Sequence, residues 1–178
     1  MKRIAVFGKP GGGKSTFSKE LSTCTGIKVH SLDLIEYKKD GQQASAEEYL
    51  LAHEKLINSE SWIIDGLGSM KSFWSRIEAA DTLIFIDLPY AIHYWWVTKR
   101  LLTSLIKKPE GWPEGSSILK GTITSWKHLR LSPKFWTSDF FDKIIEKSSG
   151  KKVYRITKPK ELKQFIEKQQ KDRHKKTL

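Results

Sequence analysis

The chain contains one cysteine, Cys24, in 178 residues. A lone thiol excludes an internal disulfide framework and suits a reducing, cytoplasmic setting; its ordinary place is a small buried position on a helix. Long apolar runs are missing as well. No stretch approaches the roughly 20 residues that a membrane span needs, so no membrane partner is expected. Met1-Lys2-Arg3 leads directly into a short β-like run rather than into the apolar core of a signal peptide. The five histidines, at 30, 53, 93, 128 and 174, lack the spacing of metal ligands, which argues against a zinc site. Internal repeats are absent, and the only biased segment is the lysine-rich end.

Acidic residues are outnumbered, 20 against 32 Lys and Arg, for a net charge of +12. The imbalance sits mostly in the tail. Residues 151–178 carry eleven basic and three acidic side chains, whereas the first 150 carry 21 and 17. Such a tail suits a solvated C-terminal helix or, as the alternative, contact with nucleic acid or another acidic surface. With 38% hydrophobic and 29% charged residues, the composition is that of one globular domain with a sizeable core.

Glycine, by contrast, is concentrated in one place. Gly8-Lys9-Pro10-Gly11-Gly12-Gly13-Lys14-Ser15 satisfies G-x-x-x-x-G-K-[ST] at every fixed position. The apolar run Ile4-Ala5-Val6-Phe7 precedes it and an amphipathic segment over 15–24 follows, which is the strand–loop–helix context the pattern requires. Backbone without Cβ atoms can curl round a phosphate with its N–H groups inward, and the helix start adds unsatisfied N–H groups beneath the same anion. Residues 8–15, with Thr16 behind them, therefore predict a nucleoside-triphosphate site for ATP. In it Lys14 reaches the terminal phosphates and the Ser15 hydroxyl ligates Mg²⁺.

Along the chain, short apolar runs alternate with helical patterns. Strands are predicted over 3–7, 28–32, 62–66, 82–87 and 152–156. Helices are predicted over 15–24, 45–59, 70–80, 90–106, 118–131, 138–148 and from Pro159 onward. Ser45 and Glu48 form a capping box, and Pro133 interrupts the helical pattern. Residues 107–121, with Pro109, Gly111, Pro113 and Gly115, read as a loop or flap. Alternation of this kind predicts an α/β fold, a parallel sheet covered on both faces, with ligands at the carboxyl ends of the strands. That rule gathers Gly8 to Ser15, Asp33, Asp65-Gly66 and Asp87 into one crevice.

Phosphoryl transfer needs a phosphate cradle, Mg²⁺ with an acidic partner, cations round the transferred group and an acceptor site. Asp65 and Asp87 both end apolar strands, and hydrophobic pattern alone does not separate them; Asp87, before Leu88-Pro89, also reads as a cap of the next segment. Only six of the basic residues are arginine (3, 76, 100, 130, 155 and 173). Where arginine is still used, a planar bidentate donor is the reason to look for, and Arg76, Arg100 and Arg130 are expected near the phosphates. Trp95, Trp96, Trp126, Phe135, Trp136, Phe140 and Phe141 are expected mostly in the core, with Trp112 in the flap the best placed to meet a base. Asp33 either caps a turn or orients an acceptor hydroxyl, a group that needs a base where an anionic phosphate acceptor does not.

These motifs, in the order Gly-x4-Gly-Lys-Ser-Thr, Ser31-Leu32-Asp33, Ile63-Ile64-Asp65-Gly66, Arg76, Ala80-Asp81-Thr82 through Asp87-Leu88-Pro89 and Lys99-Arg100, resemble the adenylate-kinase-like P-loop proteins. Within them, the chain looks most like the branch often labelled DNA topology modulation protein (FlaR-related). The resemblance covers residues 1 to about 100 well and the rest loosely. It implies a three-layer P-loop NTPase fold with a five-stranded parallel sheet, an acceptor-side helical region near 34–60 and a mobile lid near 103–135. It also implies that Asp65 is the acidic residue near Mg²⁺, that Arg76 and Arg100 bind phosphates, and that Trp96 occupies the position of an arginine that packs on adenine. Leu67-Gly68-Ser69 stands where nucleotide monophosphate kinases carry an aromatic, a proline and an acceptor-binding arginine. Neither the acceptor nor the oligomeric state is legible.

Overall fold

Apolar runs form the central strands β1 (Arg3–Gly8), β3 (Trp62–Asp65) and β4 (Thr82–Ile86), flanked by the more polar β2 (Val29–Ser31) and β5 (Lys152–Ile156). The computed structural model describes residues 1–36, 43–104 and 118–177, with side chains to 173. All pairings are parallel, and the sheet order is β2-β3-β1-β4-β5. The helices are α1 (Lys14–Thr25), α2 (Leu32–Glu36), α3 (Ala46–Ile57), α4 (Met70–Ala79), α5 (Tyr90–Ser104), α6 (Ile118–Phe135), α7 (Ser138–Glu146) and α8 (Pro159–Thr177). Among the described residues no helix is long and apolar enough to cross a membrane.

Successive residues of β1, β3 and β4 enter opposite cores, as the pleat requires. Ala5, Phe7, Trp62, Ile64, Leu83 and Phe85 face α3, α4 and α7, meeting Tyr49, Phe73, Ile77 and Ile144. Ile4, Val6, Ile63, Ile84 and Ile86 face α1 and α8, meeting Phe17, Leu21, Cys24 and Ile166. Cys24 is a buried free thiol in that second core. Local chemistry sets the helix ends. The capping box of α3 is complete, since the Ser45 hydroxyl accepts from the Glu48 N–H at 3.1 Å and Glu48 accepts from the Ser45 N–H at 2.8 Å.

Two elements differ from the sequence pattern. The second strand stops at Ser31, and Leu32 opens the short helix α2, because Leu32 is buried in the first core and turns the chain inward. Helix α6 continues through Pro133 to Phe135. A proline inside a helix costs about 3 kcal/mol. Here Leu129 is fully buried on one side of it, and on the other Trp136 packs 4.9 Å from the Phe85 ring, so tertiary packing outweighs the lost hydrogen bond. Trp136, Phe140 and Phe141 join the first core, whereas Trp95 is exposed. Trp112 and the 105–117 part of the expected lid lie outside the described residues.

Phe7 is the centre of the first core. Its ring stacks on Phe85 (5.4 Å, 14°) and Trp136 (6.3 Å, 13°) and meets Phe73 edge-on (5.4 Å, 88°). Because Phe7 is fully buried and adjoins the loop that follows β1, Phe7→Ala is expected to lower stability by about 3–5 kcal/mol. Urea unfolding should show this as a lower midpoint with an unchanged slope.

Candidate active site

β1 lies between β3 and β4, so the chain leaving it turns at the carboxyl ends of three strands. Gly8, with φ 141°, passes so close to the Ile86 carbonyl of β4 that no side chain fits. Gly13, with φ 75°, is the N-cap of α1 and offers no side-chain cap, and the first turn of α1 carries no acid. The N–H groups of that turn are therefore left for an anion, with the positive end of the helix dipole behind them.

Lys14 folds back over this loop, its Nζ donating to the Lys9 carbonyl at 2.9 Å. Burial pushes its pKa down, opposed by Asp65 and then Asp33, with Arg100 acting in the same direction as burial. Asp65 ends β3, opposite Val6 of β1 and Ser31 of β2, and is almost fully buried. Burial raises its pKa, and Lys14 and a hydrogen bond from the Ser15 hydroxyl pull the other way. Its Oδ1 is buried without a hydrogen-bond partner. Asp33, in the first turn of α2, is exposed on the crevice and acts through space on Lys14, Asp65 and Arg100. Arg100, on α5, lines the same crevice and donates to the Ser125 hydroxyl of α6 at 3.3 Å. Burial lowers its pKa and Asp33 raises it.

The structure separates the two aspartates that the pattern leaves equal. Asp65 stands with Lys14 and Ser15. The Asp87 carboxylate is taken by Lys9 and by Arg155, whose Nε donates at 2.9 Å and Nη2 at 2.5 Å. Burial pushes Asp87 up, but the hydrogen bonds from Lys9 and Arg155 outweigh it and hold the carboxyl below its ordinary value. Asp87 is thus an anchor for two cations and not a cap. Lys9 is buried, with its ammonium 4.8 Å from the Tyr90 ring centre, so it meets the loop's interior only through its backbone.

Two expected phosphate ligands are not brought to the crevice. Arg76 is fully buried beneath the turn after β3, where its Nη2 donates to the carbonyls of Gly66 at 2.8 Å and Leu67 at 3.1 Å. Burial lowers its pKa to about 10, against the pull of Tyr49 and Asp65. It positions the turn that carries Asp65. Arg130 is exposed on α6 and lies away from the crevice, which His128 and Leu131 line instead. Gly8, Pro10, Gly11, Gly12, Gly13, Lys14, Ser15 and Thr16 all line it, as do Trp96 and Lys99 of α5 and Tyr49 of α3.

One residue beneath the loop was not singled out from the sequence. His93 of α5 is fully buried, with Nδ1 2.8 Å from the Pro10 carbonyl. Its signal was present, since it falls four residues before Val97 on the buried stripe of α5, but a lone histidine in an apolar pattern does not announce a partner 83 residues away.

No protein-family model matches the chain. A curated relative from Methanocaldococcus jannaschii, named "Putative adenylate kinase", is 35% identical over 85 residues. The match spans 48% of this chain and 42% of that protein, less than half the length of either. Among solved structures, shikimate kinase from Acinetobacter baumannii in complex with shikimate aligns over 94% of this chain and 90% of its own, with TM-score 0.56 at 13% identity. The chain has the fold of a P-loop kinase. An unliganded sugar kinase from a Janibacter species aligns over 97% of this chain and 91% of its own, with TM-score 0.47 at 13% identity. The P-loop kinase fold accounts for the placement found here, with the glycine-rich loop after the central strand and the acid at the end of its neighbour.

His53 and His93 give this P-loop kinase fold an acid limit. Burial lowers both to about 4 from an ordinary 6.5, helped by Arg76 at His53 and by Lys9 and Lys14 at His93, which also has the Tyr90 ring 6.5 Å away. A depressed folded value means that the unfolded chain binds the protons first. Stability is therefore full above pH 6.5 and falls as pH drops toward 4, by on the order of 3 kcal/mol per histidine. Urea midpoints at pH 7.5 and 4.5 should differ accordingly, and His53→Phe should remove part of the difference.

Proposed function

We propose that the chain is an ATP-binding, Mg²⁺-dependent phosphotransferase that moves the γ-phosphoryl of ATP to a small acceptor: a nucleotide, a nucleoside or another hydroxyl compound. The observation that carries this reading is the meeting of Lys14, Ser15, Asp65 and Asp33 at one end of the sheet, around a glycine-rich loop that lines the same crevice. The acceptor oxygen attacks the γ-phosphorus, the bond to the β–γ bridging oxygen breaks, and ADP leaves. Where the acceptor is a hydroxyl, its proton passes to the Asp33 carboxylate. Lys14, Arg100 and the loop amides neutralise charge on the phosphates.

The residues present fit Mg²⁺. Ser15 Oγ and Asp65 Oδ1 are hard oxygen donors, and Asp65 Oδ1 is buried without a partner of its own. Bound there, the ion would offset phosphate charge. Trp96 offers a ring to the base, and the aromatic face suits any adenine stacking above the start of α1. One domain over 1–178 holds these parts, with the acceptor on the side of residues 34–60 and a lid over about 103–135 that closes on it. Membership of the FlaR-related branch belongs to the same proposal and rests on the motif order in residues 1 to about 100. The alternative, a nucleotide-dependent regulator that binds nucleic acid, rests on α8, whose Lys160, Lys163, Lys168 and Lys171 are all exposed.

Two measurements test the enzyme reading. ADP release, assayed across a panel of nucleotides, nucleosides and small hydroxy acids, should rise with at least one acceptor; ATP binding with every acceptor inert would refute transfer. Lys14→Ala should lower ATP affinity at least about tenfold, a loss of roughly 1.4 kcal/mol. The variant should stay folded but melt lower, because buried Asp65 loses its main opposing charge. For the alternative, charge reversal at Lys163, Lys168 and Lys171 should flatten the salt dependence of DNA binding; an unchanged slope removes the tail from consideration.

A further inference from the structure

Helix α5 forms a bed for the phosphate loop through residues one turn apart. A Cβ added to Gly11 would stand 2.9 Å from the His93 carbonyl oxygen and against the Val97 side chain. One on Gly12 would stand 2.8 Å from His93 Cε1, and one on Gly13 2.9 Å from Trp96 Cζ3. Gly12 is not among the positive-φ glycines, so it is space above His93 and Ile86, not backbone conformation, that leaves no room for a side chain there. The loop is thus pressed against this helix along its length.

The contact is also directional. His93 Nδ1 lies 2.8 Å from the Pro10 carbonyl oxygen. A carbonyl only accepts, so Nδ1 carries the proton and donates. No solvent competes, since His93 is fully buried. In a planar trans peptide, C=O and N–H point to opposite sides. Holding the Pro10 carbonyl down onto His93 therefore turns the Gly11 N–H away from α5, and Gly11 lies on the crevice while His93 does not.

We infer that His93 is a positioning residue for phosphate binding: its Nδ1–H clamps the Pro10–Gly11 peptide so that the Gly11 amide is presented to the phosphates. The inference rests on the nucleotide-binding reading of the loop and names the residue that sets the loop's geometry. Without this donor the Pro10–Gly11 peptide loses its polar restraint, and the amide is less firmly aimed when a phosphate binds.

The test titrates Mg-ATP and inorganic tripolyphosphate into the wild-type chain, Lys14→Ala, His93→Asn, His93→Gln and His93→Leu, with a ligand-free melting curve for each. Asparagine puts an amide N–H where Nδ1 sits; glutamine and leucine do not. Gln and Leu should weaken both ligands about tenfold, the worth of one buried hydrogen bond. Asn should stay within about threefold of wild type whatever its melting temperature, a rescue that a merely space-filling ring would not show. If the Leu variant fails to fold, Gln against Asn carries the comparison. Wild-type binding by the Gln and Leu variants, or an Asn loss equal to theirs, overturns the inference alone. Failure of the wild-type chain to bind either ligand overturns the nucleotide reading, and this inference with it.

Discussion

Val6 stands opposite Asp65 in the parallel pairing of β1 with β3, and the next residues of β1 run into the glycine loop. That register brings a carboxylate to the start of α1, where Lys14 and Ser15 follow. The arrangement is demanding. Asp65 is raised by burial and Lys14 lowered by it, and each is the other's main opposing charge. Two buried charges gain little for stability over apolar side chains of the same size. Under the proposed function, phosphate and a hard cation would give both charges a ligand partner at the mouth of this loop.

The same loop is held from several sides by side chains packed beneath and behind it. Asp87 ties Lys9 to Arg155, fixing the loop's first turn to β5. Arg76 fastens the Gly66 and Leu67 carbonyls, steadying the turn that carries Asp65. His93, Val97 and Trp96 support the loop from α5. A concave row of amides attracts an anion strongly only when it is already in place, since reorganisation on binding subtracts from affinity. In this molecule, much of the buried polar chemistry near the strand ends is that scaffolding.

The opposite wall is less committed. Asp33 and Glu36 on α2, Tyr49 on α3 and Lys71 on α4 line the rest of the crevice, with Lys120 and His128 on α6. Charges of both signs and open space suit a small polar molecule. Gly68 is pressed against Tyr49 and Ser72 in this wall, but no charged cluster like that of Lys14 and Asp65 marks what it would bind among the described residues.

The phosphate loop, the alternation of strands and helices, the α3 capping box and the candidacy of Asp65 were legible because each depends on residues close together in the chain. A glycine spacing, a short apolar run or a Ser-x-x-Glu box is a local statement that tertiary context seldom reverses. What residues 76, 87, 93 and 130 do was not legible, because their roles depend on which side of a helix or strand end faces which neighbour. Arg76 and Arg130 look alike in sequence, yet burial commits one to backbone carbonyls and leaves the other in solvent. Asp65 and Asp87 end equivalent apolar strands, and only the sheet order decides that one meets Ser15 and the other Lys9. Pairing across 78 residues is set by packing of the whole sheet, a property that no short window of sequence contains.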